Sequence, residues 1–298
     1  MKRALQWSDL PVQARDIIEA RVGLALKIET VDKGLMPGFA AHLRTQERSV
    51  FVKAVAQDSP AAPLYARERW AGTVLPPGLP APRMLWSGDV EGWIVLLYEY
   101  LDGRDADLSP GSPDIWRVLD TVTVLGETLT PCPAQGGSVP DVAGNVVGLQ
   151  VKAARLLEGS VGGLLYRAMY ETALRGFTPD ALAGNTLLHY DLHPGNLQIS
   201  GEQAYAVDWA FAARGAAWID PFMLVPRLIL AGHPPSQAEA LIGQVPAWRS
   251  APKEPVTALA ALWTLYRLYK AQSGPSKERD FRARAAEAGR SWVAYRSM

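Results

Sequence analysis

The sequence predicts an α+β fold in two parts: a five-stranded antiparallel sheet with one helix, followed by a mainly helical part that carries a short hairpin. Apolar residues recur with a period of about two in several runs before Gly103 and with a period of about 3.6 after it. Two β-prone runs, Leu197–Ile199 and Ala204–Val207, flank the turn formers Ser200-Gly201-Glu202 and predict the hairpin. The change of period predicts a boundary between residues 1–101 and residues 102–298.

The first part is predicted to contain a leading helix, five strands and one internal helix. Ser59-Pro60 is a typical helix start, with serine as the cap and proline at the first position, and Pro76-Pro77-Gly78 would end that helix. Residues 88–92 are the predicted turn of the last hairpin in this part. The predicted ranges are 8–22 and 59–75 for the helices, and 25–31, 40–44, 49–55, 81–87 and 92–99 for the strands.

The second part is predicted to be built from helices. Residues 130–145 are predicted to form a loop, because six of the sixteen are Gly or Pro. Aromatic residues at three- and four-residue steps near the carboxyl end predict core-facing helix stripes. The predicted helices cover 114–129, 149–157, 164–174, 222–230 and 255–272, with a last one around 281–295.

Composition and charge exclude several function classes. The 298 residues include 30 basic and 30 acidic side chains without a long run of one sign, so no nucleic-acid or anionic-membrane partner is expected. The longest strongly apolar run, residues 93–98, is too short to cross a bilayer. The single cysteine, Cys132, excludes an intramolecular disulfide, and the amino terminus lacks an apolar signal-peptide core. These features predict a cytoplasmic protein, and nothing in the sequence indicates an oligomeric state.

Three polar residues flank the predicted hairpin and suggest phosphoryl transfer. Asn196 and Asp208 are hard oxygen ligands of the kind that Mg²⁺ prefers, and they lie on either side of the hairpin. Asp191 lies before it and is free to accept a proton. Phosphoryl transfer needs such groups, because its catalysis consists mostly of positioning and charge stabilisation.

The motif H-Y-D-L-H-P-G-N at 189–196, followed by V-D-W at 207–209, resembles the aminoglycoside phosphotransferase family, whose members are relatives of the protein kinases. The spacing matches the kinase pattern H-R-D-x-x-x-x-N, while Tyr190 replaces the arginine and Asp208-Trp209-Ala210 replaces D-F-G. Both departures argue against a protein kinase. The resemblance implies a bilobal protein-kinase-like fold and a small-molecule kinase that uses Mg²⁺ and ATP or GTP.

The resemblance also implies roles for further residues. Lys53, within an apolar strand, and Glu68, on the next helix, correspond to the pair that positions the α- and β-phosphates. In the catalytic part, His189 would support the loop, His193 would pack beside the metal ligands, and Asp220 would tie the loop to the next helix. The remaining implied nucleotide contacts are Gly34, Met36 and Gly38 over the phosphates, and Glu99 and Leu101 at the hinge beside the base.

Simpler interpretations of these features remain open from the sequence. Gly34 and Gly38 do not form G-x-G-x-x-G and are compatible with plain turns. Lys53 and Glu68 are compatible with a snorkelling lysine and a surface glutamate. The segment 189–193 also reads H-x-D-x-H, a possible hydrolase metal site, although that interpretation explains none of the other matched residues.

The acceptor is predicted from the charge of the carboxyl-terminal part. A polycationic aminoglycoside calls for a carboxylate-rich cleft, yet residues 192–298 contain eight acidic and twelve basic side chains. We therefore expect a neutral or weakly cationic acceptor, such as a nucleoside or glycosylated antibiotic, and a resistance role. The alternatives are an aminoglycoside, a metabolic kinase acting on choline, homoserine or a sugar, and a non-catalytic nucleotide-binding regulator.

Overall fold

The computed structural model describes residues 5–31, 37–134, 139–159 and 164–298. Its first part is a five-stranded antiparallel sheet in the order β1-β2-β3-β5-β4, which confirms the predicted α+β architecture. A leading helix packs against the inner strands, and a second helix crosses the other side of the sheet. The elements are α1 (Val12–Val22), β1 (Lys27–Thr30), β2 (Phe39–Arg44), β3 (Ser49–Ala56), α2 (Ala62–Val74), β4 (Met84–Val90) and β5 (Trp93–Glu99).

Two predicted boundaries in this part are wrong. Helix α2 begins at Ala62 instead of at Ser59, because residues 57–61 form turns in which the Ser59 hydroxyl accepts a hydrogen bond from the backbone of Ala61 at 3.3 Å. The proline within its first turn is Pro63. The turn between β4 and β5 is only Glu91-Gly92, both with positive φ, because the register continues the pairing as far as Val90↔Trp93.

Residues 186–215, the segment with the predicted catalytic residues Asp191, Asn196 and Asp208 (below, the catalytic segment), are held by two small sheets. The predicted hairpin is present as β8 and β9, and the chain leaving the large sheet pairs with it through β6. A second pair, β7 with β10, brackets this segment and was not predicted from the sequence. The ranges are β6 (Arg104–Asp105), β7 (Thr186–Leu188), β8 (Leu197–Ser200), β9 (Gln203–Ala206) and β10 (Ala213–Gly215).

Helices build the rest of the second part. The predicted loop at 130–145 is too long at its carboxyl end: the Asp141 carboxylate accepts a hydrogen bond from the Ala143 amide at 2.7 Å and caps a helix that begins at Val142. Helix α7 was not predicted. The ranges are α3 (Asp114–Thr128), α4 (Val142–Leu157), α5 (Arg167–Leu174), α6 (Ile219–Leu230), α7 (Pro235–Ile242), α8 (Lys253–Ser273) and α9 (Ser276–Arg296).

The largest core lies among the helices of the second part and extends to the hairpin and to α2. Two smaller cores cover the two faces of the five-stranded sheet. The predicted aromatic stripes are confirmed in part: Trp292 is fully buried and Trp263 and Tyr266 pack on the main core, but Phe281 and Tyr295, near the two ends of the last helix, are exposed. In the part of the chain that the structure describes, no helix is long and apolar enough to cross a membrane.

Candidate active site

Asp220 organises the loop that carries Asp191. Its buried carboxylate accepts hydrogen bonds from the backbone N–H groups of His189 and Tyr190, both at 2.8 Å. Tyr190 has a positive φ of 63°, a conformation that costs energy in a bulky residue and must be stabilised by its surroundings. Burial raises the pKa of Asp220 to about 6, and the two N–H donors partly oppose this rise.

The His189 side chain connects this loop to the strand before Asp208. One ring nitrogen, Nε2, lies 2.8 Å from the Val207 carbonyl, and the other, Nδ1, lies 3.3 Å from the Asp191 amide. A neutral ring with its proton on Nε2 satisfies both contacts. Burial lowers the pKa of His189 to about 4, which agrees with a neutral ring. Because both nitrogens are engaged, His189 is unsuited to the hydrolase metal site that H-x-D-x-H allows.

The Asp191 carboxylate lies at the centre of the site. The Asn196 side-chain amide donates to the Asp191 carbonyl at 3.0 Å and lies 3.5 Å from its Oδ2. His193 Nε2 is 3.8 Å from the same oxygen, while its Nδ1 accepts a hydrogen bond from the Gly195 amide at 3.1 Å. Burial raises the pKa of Asp191 to about 6, although the positive charge of Arg227 opposes this rise.

Lys53 joins the five-stranded sheet to the catalytic segment. Its Nζ donates to Glu68 Oε2 at 2.5 Å and to Asp208 Oδ1 at 3.1 Å. The Lys53 and Glu68 side chains are only 12% and 4% exposed, so the surface interpretation of this pair is wrong. Burial alone would lower the pKa of Lys53, but the charges of Glu68 and Asp208 outweigh burial and raise it. The ammonium therefore stays charged at any physiological pH.

Asn196 and Asp208 form a donor set suited to Mg²⁺. Asp208 has a positive φ of 64° and a half-exposed side chain, so the carboxylate is accessible although Lys53 holds one oxygen. Partial desolvation by the surrounding protein acts to raise the pKa of Asp208, but the charges of Lys53 and neighbouring groups outweigh it and keep this pKa below its usual value. Among the described residues, no group of three or more His, Cys, Asp or Glu side chains could hold a metal ion. A metal at this site would therefore need the Asn196 amide oxygen or ligands from outside the protein. A carboxylate and an amide oxygen are hard donors of the kind that Mg²⁺ prefers, and Mg²⁺ usually takes only one or two protein ligands.

The other predicted nucleotide contacts are placed only in part. Gly34 and Met36 lie outside the described residues. At Gly38, a Cβ atom would meet Tyr65 Oη at 2.1 Å, so any side chain there would displace the tyrosine. Glu99 ends β5, where its carboxylate pairs with Arg83 Nε at 2.8 Å and its N–H donates to the Arg83 carbonyl at 3.0 Å. The Glu99 carbonyl and the Leu101 amide remain the predicted groups for a base contact.

Three arginines near Asp191 were missed by the sequence analysis. Arg227 on α6 and Arg267 on α8 are 9% and 3% exposed, and Arg282 on α9 is partly buried. Each exerts a Coulombic effect on Asp191 that lowers its pKa. The sequence signal that could have identified them is an arginine inside an otherwise apolar helical stretch, as in L-V-P-R-L-I-L at 224–230. A guanidinium buried there is costly unless it has a partner.

Together these features define the class of the protein. Lys53 of the five-stranded sheet and Glu68 of α2 form a buried pair, and Lys53 also contacts Asp208 on the segment that carries Asp191 and Asn196. This is the arrangement of small-molecule kinases.

The comparisons with known proteins agree. The sequence profile of the phosphotransferase enzyme family matches residues 40–253, and the chain belongs to this family. It is accordingly a phosphotransferase that acts on hydroxyl groups of small molecules, which favours an enzyme over the nucleotide-binding regulator.

Solved structures show the same protein-kinase-like fold at low sequence identity. An aminoglycoside phosphotransferase from Alicyclobacillus acidocaldarius is 15% identical, with a TM-score of 0.63, and the alignment covers 97% of this chain and 96% of that one. A choline kinase from Streptococcus pneumoniae is 16% identical, with a TM-score of 0.62 and coverages of 95% and 99%. A macrolide 2'-phosphotransferase from Brachybacterium faecium is 20% identical, with a TM-score of 0.61 and coverages of 92% and 97%. A search of curated proteins found no significant match.

Proposed function

We propose that this protein transfers the γ-phosphoryl group of ATP or GTP to a hydroxyl of a small molecule in the cytoplasm, with Mg²⁺ bound by Asn196 and Asp208. The observation that carries this proposal is the convergence of Lys53, Asp191, Asn196 and Asp208 on one site from two parts of the chain. The neighbours' acceptors include an aminoglycoside, a macrolide and choline, so the fold by itself does not select an acceptor.

Asp191 is the proposed catalytic residue. With a pKa near 6 it is ionised at neutral pH, yet it is basic enough to accept the proton of an attacking hydroxyl. The hydrogen bonds of Asn196, and of His189 to the Asp191 amide, fix the position of this carboxylate. A fixed carboxylate in turn orients the attacking hydroxyl, and such positioning is the larger part of catalysis in phosphoryl transfer.

Lys53 is the proposed ligand of the α- and β-phosphates, and Glu68 holds its ammonium group in place. Asp208 shares that ammonium, so a nucleotide would enter a site in which lysine and carboxylate are already aligned. Bound Mg²⁺ would neutralise negative charge on the phosphate oxygens. The backbones of Glu99 and Leu101, with Gly34, Met36 and Gly38, are the proposed contacts to the rest of the nucleotide.

Substitution of Asp191 tests the catalytic assignment. Asp191→Asn removes the proton acceptor and keeps the shape, so turnover should fall by roughly 10²- to 10⁴-fold while nucleotide affinity stays within a few-fold of wild type. Asp102→Asn, on an exposed carboxylate, is the matched control and should retain activity. Phosphoryl transfer by Asp191→Asn at a wild-type rate would refute the assignment.

The acceptor is proposed not to be a polycation. Residues 192–298 carry a basic excess, and three of their arginines exert a Coulombic effect on Asp191, so an aminoglycoside would be repelled there. Calorimetric titration with kanamycin tests this exclusion: tight binding that weakens steeply with salt would contradict it.

A mass-spectrometric transfer screen with both nucleotides separates the two proposed physiological roles. Phosphorylation of an antibiotic would support a resistance role, and phosphorylation of metabolites alone would support a metabolic kinase. Among the metabolic acceptors, the same arginines favour homoserine or a sugar over choline, since choline is a cation without an acidic group.

A further inference from the structure

Five hydrogen-bond donors are buried without a partner on the catalytic loop and on the helices α6, α8 and α9. The described residues contain ten buried side-chain N or O atoms with no hydrogen-bond partner, and half of them lie here. Such atoms are rare in folded proteins, and a concentration of them calls for an explanation. They are Tyr190 Oη, Arg227 Nε, Trp263 Nε1, Arg267 Nη1 and Arg282 Nε.

Ring contacts connect Trp263 and Arg267 to Tyr190 on the Asp191 loop. The Trp263 ring lies 6.3 Å from the Tyr190 ring, and Tyr190 directly precedes Asp191. The Arg267 guanidinium lies 5.5 Å from the centroid of the Trp263 ring. A cavity between α6, α8 and α9 is lined by Pro226, Trp263 and Arg267 among other residues. Tyr190, Trp263 and Arg267 are thus in one chain of contacts, and Arg227 and Arg282 are assigned to the same cluster because their charges, like that of Arg267, act on Asp191.

The cluster carries more positive than negative charge. Arg282 is paired with Glu278 at 3.2 Å, and Asp191 supplies a second carboxylate, so three guanidinium groups face two acidic groups. Burial lowers the pKa of Arg227 and of Arg267, and the repulsion between these cations acts in the same direction. The cation–π contact of Arg267 with the Trp263 ring compensates only part of the free-energy cost of burying a cation.

We propose that the acceptor carries an oxyanion group, a carboxylate or a phosphate or sulfate ester, which Arg227, Arg267 and Arg282 bind beside Asp191. An oxyanion offers several lone pairs to a set of groups that are nearly all donors, and guanidinium forks match its geometry. A neutral acceptor would leave the excess charge uncompensated, and a cationic one would be repelled. This inference rests on the proposed function, and it replaces the neutral or weakly cationic acceptor expected from counting charges in the sequence.

Anion binding to the nucleotide-saturated protein tests the proposal. The full-length protein is first saturated with Mg²⁺ and a non-hydrolysable ATP or GTP analogue, so that added anions do not enter the phosphate subsites. Sodium sulfate and, separately, sodium acetate are then titrated calorimetrically, with sodium chloride keeping the ionic strength constant. A preference for acetate indicates a carboxylate, and a preference for sulfate indicates a phosphate- or sulfate-like group.

Arg267→Gln should weaken the binding of the preferred anion by roughly 10- to 100-fold, as expected when a charged hydrogen bond is lost. Arg284→Gln, on an exposed arginine of α9, is the matched control and should bind the anion like wild type. Arg282→Gln should also weaken anion binding, and because this side chain is partly exposed it decides the matter if Arg267→Gln does not fold.

Two results would overturn the proposal: no saturable binding of either anion, or equal binding by wild type, Arg267→Gln and Arg282→Gln. Nucleotide affinity, measured in the first step, should be the same in all variants. A protein that binds the anion but no nucleotide would count against the proposed function and leave the oxyanion site standing.

Discussion

Replacing Lys53 with methionine should destabilise the protein by an amount that depends on pH. Methionine keeps most of the apolar stem of lysine and removes the ammonium group. Glu68, whose side chain is 4% exposed, then loses its partner at 2.5 Å. Its carboxylate must either remain as an unpaired charge or take up a proton on folding.

The expected loss follows from the burial of both partners. Removing one member of a buried ion pair costs about 3–5 kcal/mol, and the water reaching the half-exposed Asp208 side of this site places the loss at about 3 kcal/mol at pH 8. Burial raises the pKa of Glu68, and in the variant no ammonium opposes this rise. Because a folded-state pKa above the unfolded value favours folding at low pH, the loss should shrink at pH 5 and grow as the pH rises through the folded pKa.

Urea unfolding of four proteins measures this effect: wild type, Lys53→Met, Glu68→Leu and the double variant, each at pH 5 and pH 8. The double variant should recover most of the stability at pH 8, because it leaves no buried charge, yet it should lack phosphotransferase activity. Arg69→Met is the control. Arg69 lies on the same helix as Glu68 and pairs with Asp89 of β4 at 2.9 Å, and both side chains are at least 30% exposed. Loss of this exposed pair should cost less than about 1 kcal/mol.

A Lys53→Met variant within about 1 kcal/mol of wild type at pH 8 would refute this reasoning, because loss of the ammonium that pairs with a buried carboxylate should cost more than that. A double variant no more stable than the worse single variant would refute it as well.

Three further predictions concern the support of the catalytic segment. Asp220→Asn should gain stability relative to wild type as the pH rises from about 4 to about 6, because the raised pKa of the aspartate penalises its ionised form; the gain should reach roughly 3 kcal/mol for a shift of about two pKa units. Urea unfolding across this pH range measures the gain, with Asp180→Asn as an exposed control. A difference in stability that does not change with pH would contradict the prediction. Gly184→Ala should destabilise by about 1–3 kcal/mol, since its Cβ would lie 2.4 Å from the Ala216 Cα, whereas Gly144→Ala, in a helix with open space, should stabilise by up to about 1 kcal/mol; thermal unfolding that ranks the two variants the other way would refute the packing argument. Thr121→Val should cost about 1–2 kcal/mol, because the Ala204 carbonyl loses a buried hydrogen bond of 2.7 Å, and a loss below about 0.5 kcal/mol would show that water replaces it.

The fold class and the large sheet could be predicted because their determinants are local. Alternating buried positions in β2 and β3 and a continuous apolar run in β5 specify strands buried on one or both faces, and the turn residues between β8 and β9 specify a hairpin. The errors lie where local signals compete. Ser59-Pro60 looks like a helix start, but the hydrogen bonds of residues 56–62 close turns there instead. Glycines around the start of α4 suggested a loop, while the cap at Asp141 and the apolar face of the helix outweighed them.

The spacing of Asp191, Asn196 and Asp208 by itself predicted phosphoryl transfer, because a loop and a hairpin hold residues that are close in sequence in a nearly fixed relation. The Lys53–Glu68 pair could be proposed from the sequence, but only the tertiary structure showed it to be buried and in contact with Asp208. The proposal of an oxyanion on the acceptor rests on the tertiary structure. Arg227, Arg267 and Arg282 come from three helices far apart in the chain, and a net count of charges carries no information about which of them converge on one carboxylate.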